Sequence, residues 1–158
     1  MNLYKLTASG LGTGYFPVAP GTAGAALGIL LFYGFNQELY ALHVDPVWIP
    51  VSQLIVILLI SWLGVYSIKK VHQTWEHDAQ TIVIDEIVGV WIAAYALPLR
   101  WQYYLYAFIL FRLFDIYKPL FIRKIDKLKN DWSVMLDDML AGVYALVVLQ
   151  LLLHFKVL

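Results

Sequence analysis

The sequence predicts an all-α, polytopic helical membrane protein with about five membrane-embedded helices and a juxtamembrane amphipathic segment. Of its 158 residues, 61% are hydrophobic and 14% are charged, whereas soluble domains carry about 25% charged residues. The segment Val47–Ile68 contains no charge and exceeds the ~20 residues that a helix needs to cross a bilayer. Four other segments are apolar but shorter or flanked by charge. The length fits a single domain over residues 1–158.

The first predicted helix covers Thr22–Phe35 and is preceded by Pro20, which suits a first helical turn. Gly24 and Gly28 form a G-x-x-x-G pair, a spacing that allows helices to approach closely in lipid. Chance spacing in a glycine-rich segment explains the pair equally well.

The second predicted helix is Val47–Ile68, with Trp48 and Trp62 toward its ends as interfacial aromatic residues. The other apolar segments are Ile87–Leu99, Trp101–Phe114 and Met139–Phe155. The polar stretch Lys118–Asp131 predicts a juxtamembrane amphipathic helix or loop.

Five crossings would place most of the basic residues on one side of the membrane. These are Lys5, Lys69, Lys70, Lys118, Arg123, Lys124, Lys127 and Lys129. Because cytoplasmic loops are enriched in Lys and Arg, this side is predicted to be cytoplasmic. Most acids fall on the same side: Glu76, Asp78, Asp85, Glu86, Asp115, Asp126, Asp131, Asp137 and Asp138. Only Glu38 and Asp45 fall opposite.

Three segments place carboxylates at the cytoplasmic ends of predicted helices. They are Ile84-Asp-Glu-Ile-Val-Gly89, Phe111-Arg-Leu-Phe-Asp-Ile-Tyr-Lys-Pro119 and Met135-Leu-Asp-Asp-Met-Leu-Ala-Gly142. Gly89 and Gly142 each follow an acid by four residues, one turn deeper on the same helix face, where a neighbouring helix can come close.

Five acids in these segments are candidates for a metal site: Asp85, Glu86, Asp115, Asp137 and Asp138. Converging carboxylates repel one another, and a hard divalent cation such as Mg²⁺ would relieve that repulsion. Arg112 and Lys118 lie three residues on either side of Asp115 and are candidates for binding a phosphate. The combination indicates metal-assisted phosphoryl chemistry on a lipid head group. The alternative is structural: Asp115 pairs with Arg112 or Lys118, and Asp137 or Asp138 caps the last helix.

The glycine-rich stretch Gly10–Thr22 is a second candidate for phosphate binding, because glycines let backbone amides approach an anion before a helix N-terminus. It lacks the lysine of a Walker motif, and an irregular re-entrant connector is the alternative.

His72 and His77 could shuttle a proton, although solvated interfacial histidines are the simpler interpretation. The chain has no cysteine, which excludes thiolate nucleophiles and thiolate metal sites. Its zero net charge argues against nucleic-acid binding.

Five stretches in order resemble the phosphatidylglycerophosphatase A family. They are Gly12–Thr22, Val71–Thr74, Ile82–Trp91, Phe111–Pro119 and Leu136–Gly142. The resemblance implies Mg²⁺-dependent hydrolysis of phosphatidylglycerophosphate to phosphatidylglycerol and phosphate, by a multi-pass protein of the bacterial inner membrane whose site faces the cytoplasm. It also implies that the five acids named above match the family's acidic positions and that Arg112 and Lys118 match its basic positions. Thr22, at the end of the glycine-rich stretch, is a further candidate for phosphate binding.

Two other functions are compatible with such acids. A Mg²⁺-dependent lipid phosphotransferase would use them with a nucleotide-activated lipid, although its longer pattern of spaced aspartates is missing here. A non-enzymatic membrane transporter or scaffold would place its acids near the bilayer midplane, whereas these acids lie at helix ends.

Overall fold

The computed structural model describes residues 2–73, 80–128 and 131–158, without the side chain of residue 131. Within these ranges the protein is all-helical, as predicted. The helices are α1 (Leu3–Ala8), α2 (Pro20–Ala41), α3 (Trp48–Val71), α4 (Ile84–Ala93), α5 (Trp101–Tyr117), α6 (Ile122–Asp126) and α7 (Asp131–His154), with a 3₁₀ turn at Thr13–Tyr15.

The five predicted apolar segments correspond to α2, α3, α4, α5 and α7, and the predicted juxtamembrane segment contains α6. The short helix α1 was not predicted. The boundaries of α4 differ most, because it was predicted over Ile87–Leu99 and covers Ile84–Ala93. Ala96 has a left-handed backbone with φ of 55°, and its N–H donates to Gln53 Oε1 on α3 at 2.9 Å. The chain therefore turns after α4 instead of continuing to Leu99.

Helix α4 is the centre of the structure, and most of its residues are buried by α2, α3, α5 and α7. Its ten residues extend only ~15 Å, about half the hydrocarbon thickness of a bilayer. It is therefore not a membrane span by itself. Its first residues, including Asp85, lie at one end of the molecule.

Small residues on α2 allow that helix to pack closely against α4. A Cβ added at Gly24 would lie 2.7 Å from Val83 Cβ, and one at Gly28 would lie 2.9 Å from Val90 Cγ1. The Gly28 carbonyl accepts a hydrogen bond from Trp91 Nε1 at 2.7 Å. The close helix contact predicted from the G-x-x-x-G spacing is confirmed.

Two glycines also bring α4 and α7 together. A Cβ added at Gly142 would lie 2.3 Å from the carbonyl oxygen of Gly89, and one at Gly89 would lie 2.8 Å from that of Asp138. The backbones of the two helices are in direct contact at this point. The close approach predicted one turn below the acids is therefore confirmed, and it sets the distance between the acids of α4 and α7.

Two of the described helices are long and apolar enough to cross a membrane: Trp48–Val71, with mean hydropathy 2.1, and Trp132–His154, with mean hydropathy 1.8. Only a third of each apolar window is buried in the protein. Trp48 and Trp62 on α3 are exposed, as expected of interfacial residues. These outward faces are suited to contact with lipid.

Candidate active site

One cavity of about 580 Å³ collects the acids and bases that the sequence singled out. It lies where the N-terminal ends of α2 and α4, the C-terminal end of α5 and the first two turns of α7 meet. Seven of the eight predicted site residues line it: Asp85, Glu86, Arg112, Asp115, Lys118, Asp137 and Asp138. The structure therefore brings together side chains that are up to 53 positions apart in the chain.

Three carboxylates form the most compact group, which we call the carboxylate triad: Asp85, Glu86 and Asp138. One oxygen from each lies within 4.8 Å of the others. Asp85 and Glu86 occupy the first turn of α4, where the helix N-terminus favours negative charge. Asp138 reaches them from α7 because Gly89 and Gly142 let the two helices touch one turn deeper.

The triad is costly for the protein without a compensating cation. Burial raises the pKa of the Asp85 carboxyl well above its ordinary value, and the neighbouring Glu86 adds to that rise. Burial also raises the pKa of Glu86, although its hydrogen bond with Asp85 and the charge of Arg112 oppose the rise. Buried like charges of this kind disfavour ionisation unless an opposite charge is present.

Three carboxylate oxygens in the cavity are buried and have no hydrogen-bond donor among the described residues: Asp85 Oδ1, Glu86 Oε2 and Asp137 Oδ1. An unsatisfied buried acceptor is expensive, and oxygen ligands of this type are those that Mg²⁺ and Ca²⁺ prefer. The donor set and its unpaired oxygens therefore fit a hard divalent cation.

The two basic residues are held by acids beside the triad. Arg112 forms an ion pair with Asp115 on the same helix, and its Nη1 lies 4.0 Å from Glu86 Oε1. Its Nε is buried and has no acceptor. Lys118 Nζ lies 2.7 Å from Asp137 Oδ2 and 2.5 Å from Asp126 Oδ1.

The sequence allowed two purely structural roles for these acids, an ion pair and a helix cap. Asp115 does pair with Arg112. Capping of the last helix by Asp137 or Asp138 is wrong, because α7 begins at Asp131, so both aspartates lie in its second turn. They are thus available to the cavity, and Asp137 and Asp138 are both buried there.

The glycine-rich stretch reaches the cavity through the first turn of α2. Ala19, Pro20 and Gly21 line it, and a Cβ at Gly21 would lie 2.1 Å from Glu86 Oε1. Thr22, the eighth predicted site residue, is not among the described residues that line the cavity. Further upstream, Gly14 packs against the backbone of Thr81, so part of the stretch serves as a packed connector.

The sequence missed three polar residues that line the cavity: Gln80, Asp126 and Ser133. The sequence does not single out Asp126, because the segment around it is rich in charges of both signs. A polar segment offers no periodicity that would single it out.

The histidines contribute less. His72 ends α3 and is not among the described residues that line the cavity. Glu76, His77, Asp78 and Lys129 lie outside the described residues, as does the side chain of Asp131.

Fold and cavity together define a membrane-associated helical protein whose buried carboxylates adjoin two fixed cationic side chains. The profile of the phosphatidylglycerophosphatase A family matches residues 6–153. A Haemophilus influenzae protein named phosphatidylglycerophosphatase A is 40% identical over 155 residues, covering 94% of this chain and 87% of that protein. An Escherichia coli protein of the same name is 34% identical over 162 residues, covering 97% and 85%. The chain belongs to the phosphatidylglycerophosphatase A family and is a phosphatase.

A further relative carries a different name. A Bacteroides thetaiotaomicron protein named "Putative phosphatidylinositol-3-phosphatase" is 39% identical over 149 residues, covering 91% of this chain and 89% of that protein. No solved structure matches the chain significantly.

Proposed function

We propose that the protein hydrolyses the terminal phosphomonoester of phosphatidylglycerophosphate to phosphatidylglycerol and phosphate, with Mg²⁺ as its cofactor. The observation that carries the proposal is the single cavity in which the carboxylate triad adjoins Arg112 and Lys118. Membership of the family supports the choice of substrate. The acids also lie at helix ends, whereas a transporter would place its acids near the bilayer midplane.

The cation would be held by Asp85, Glu86 and Asp138, with Asp137 and Asp115 beside them. When bound, it supplies Lewis-acid activation of a phosphoryl oxygen and of the attacking water. Support comes from the unpaired buried oxygens of Asp85, Glu86 and Asp137.

The chain's own residues would bind and orient the phosphate. Arg112 has a buried Nε with no acceptor, and a guanidinium fixed by Asp115 is suited to two-point contact with phosphate oxygens. Lys118 adds a second charge. The first turn of α2 also lines the cavity, where a helix N-terminus favours an anion. In the reaction, a water oxygen forms a new bond to phosphorus, the bond from phosphorus to the glycerol oxygen breaks, and that oxygen takes up a proton.

The protein would sit in the bacterial inner membrane as a multi-pass protein, with α2, α3, α4, α5 and α7 as its five embedded helices and the cavity facing the cytoplasm. The apolar exposed faces of α3 and α7 support this placement. A lipid phosphomonoester could then reach the cavity from the membrane plane while its acyl chains stay in the bilayer.

A second candidate substrate is phosphatidylinositol 3-phosphate, which the name of the Bacteroides relative favours. Both lipids present a phosphomonoester to the same cavity. They differ in the polyol beside it, a glycerol in one and an inositol ring in the other.

The test is phosphate release by the purified protein from each lipid in mixed micelles, without nucleotide, in Mg²⁺ or in excess chelator. We expect turnover of phosphatidylglycerophosphate in Mg²⁺ and none in chelator. Asp85→Asn should abolish turnover while the protein stays folded, because it removes one carboxylate of the triad.

Glu38→Gln is the matched control, since Glu38 is an exposed acid on α2 that does not line the cavity. Wild-type activity in Asp85→Asn, or full activity in chelator, would contradict the assignment of the site. If the protein prefers the inositol lipid, phosphatidylinositol 3-phosphate replaces phosphatidylglycerophosphate as the proposed substrate. If turnover requires a nucleotide, a phosphotransferase is favoured instead.

A further inference from the structure

Lys118 is held in the cavity by two carboxylates that come from two other helices. Its Nζ lies 2.5 Å from Asp126 Oδ1 on α6 and 2.7 Å from Asp137 Oδ2 on α7. Nothing in the sequence connected Asp126 with this lysine, because the two residues are eight positions apart across the end of a helix.

The backbone around Lys118 explains why it needs such support. Lys118 ends α5 in a left-handed conformation with φ of 44°, and Pro119 and then Leu120, with φ of 53°, follow it. Arg112, by contrast, lies within α5 and is held by Asp115 of the same helix. A lysine beyond a helix end has a flexible four-carbon stem, so its ammonium group stays in place only through partners on other elements.

The two partners differ in exposure. The side chain of Asp137 is 7% exposed and that of Asp126 is 48% exposed, so Asp126 holds the ammonium from the open side of the cavity. Burial lowers the pKa of Lys118, but the hydrogen bonds that its ammonium donates to Asp126 and Asp137 outweigh this effect and the net shift is upward. The Lys118 ammonium has three N–H donors, and two of them bond to Asp126 and Asp137. Among the described residues, the third donor is left for an anion.

We propose that Asp126 is a positioning residue for substrate binding, which holds the Lys118 ammonium between α6 and α7 so that its remaining donor meets the phosphate of the substrate. This proposal rests on the proposed function in that the anion is a lipid phosphomonoester. Without the Asp126 carboxylate, Asp137 is the only described carboxylate left within ion-pairing distance of Lys118. The lysine then forms a simple pair with Asp137 and loses its fixed position.

The experiment compares Asp126→Asn with wild type in two measurements. The first is steady-state phosphate release from the lipid, and the second is the affinity for inorganic phosphate in Mg²⁺, read from the rise in unfolding temperature with phosphate concentration. A half-exposed ion pair is worth up to about 1 kcal/mol, which corresponds to roughly a fivefold change in an equilibrium constant. We expect the apparent KM and the phosphate dissociation constant to rise roughly fivefold, with a much smaller change in kcat.

Three further variants separate positioning from a general effect on structure. Asp126→Glu keeps the carboxylate and should restore most of the phosphate affinity. Lys127→Gln removes an exposed charge that neighbours Asp126, and should leave both constants unchanged. In a Lys118→Ala background, Asp126→Asn should have no further effect, because a residue that acts only through Lys118 has nothing left to position.

Wild-type constants in Asp126→Asn would overturn the proposal, and so would an undiminished effect of that substitution in the Lys118→Ala background. Absence of any phosphate binding by the wild type would overturn it too. If the wild type binds phosphate through Asp126 and Lys118 but does not hydrolyse the lipid, the proposed function fails and the positioning role stands.

Discussion

The acids around the cavity differ in what each of them faces. Asp85, Glu86 and Asp138 face one another, whereas Asp115 is occupied by Arg112 and Asp137 by Lys118. A carboxylate that already shares a hydrogen bond with a cationic side chain has less to offer a metal than one that shares none. The proposed cation would therefore bind first at the triad, and Asp115 and Asp137 also hold the two basic side chains.

Gly21 is the residue whose replacement tests the placement of Glu86 most directly. A Cβ there would lie 2.1 Å from Glu86 Oε1, so Gly21→Ala must displace that flexible side chain from its position in the triad. We expect the fold to survive and kcat/KM to fall by roughly ten- to a hundredfold, since small misplacements of catalytic groups cost this much. Phosphate release and thermal unfolding in detergent measure the two effects.

Gly34→Ala provides the control, because a Cβ at Gly34 has no atom within 4 Å. Alanine is the better residue inside a helix by about 0.5–1 kcal/mol, so this variant should keep its activity and unfold at the same or a higher temperature. Unchanged activity in Gly21→Ala would show that the position of Glu86 does not matter for turnover.

At this scale the sequence was informative about the buried acids and not about Asp126. Asp85, Asp115 and Asp138 abut apolar runs, where an acid is costly unless it has a role, and that cost is visible in the sequence. Asp126 lies among Arg123, Lys124 and Lys127, where a carboxylate costs little. Only the reversal of the chain between α5 and α6 brings it to Lys118.

At the scale of helices, the contact between α4 and α7 fixes the geometry of the site. Gly142→Ala would place a methyl group 2.3 Å from the Gly89 carbonyl oxygen, and a backbone atom cannot move aside as a side chain can. We expect a loss of about 1–3 kcal/mol in stability, typical of overpacking, and a loss of activity because Asp138 moves away from Asp85.

Thermal unfolding in detergent, together with phosphate release, measures both consequences, with Gly34→Ala as the control once more. A Gly142→Ala protein with the wild-type unfolding temperature and rate would show that the two helices can separate without cost to the site.

The helices themselves were largely predictable, and their ends were not. Uninterrupted apolar runs located α3 and the cores of α2, α5 and α7. The predicted start of α4 at Ile87 lies after its true start at Ile84. The first turn carries Asp85 and Glu86, and a search for apolar residues leaves these two acids out of the helix. Its end was missed because the hydrogen bond from Ala96 to Gln53 joins residues 43 positions apart, and no local pattern records such a contact.

At the scale of the whole molecule, the orientation in the membrane is open to a direct test, since the natural chain contains no cysteine. Single substitutions at exposed positions can report on each side: Glu38→Cys at the end opposite the cavity and Lys127→Cys immediately after α6. With the cavity facing the cytoplasm, an impermeant thiol reagent added to spheroplasts should label Glu38→Cys and spare Lys127→Cys until the cells are lysed. The reverse pattern would mean that the cavity faces outward.

The short central helix has a consequence for how the protein is made. At ~15 Å and with two acids in its first turn, α4 is a poor candidate for entering lipid alone, and its partners lie both before and after it in the chain. A ribosome that has produced α4 has delivered Asp85 and Glu86, but Asp138 arrives only with α7. If Asp138 is part of the proposed cation site, the enzyme gains activity only when its last described helix docks, and a chain truncated before α7 would lack part of that site.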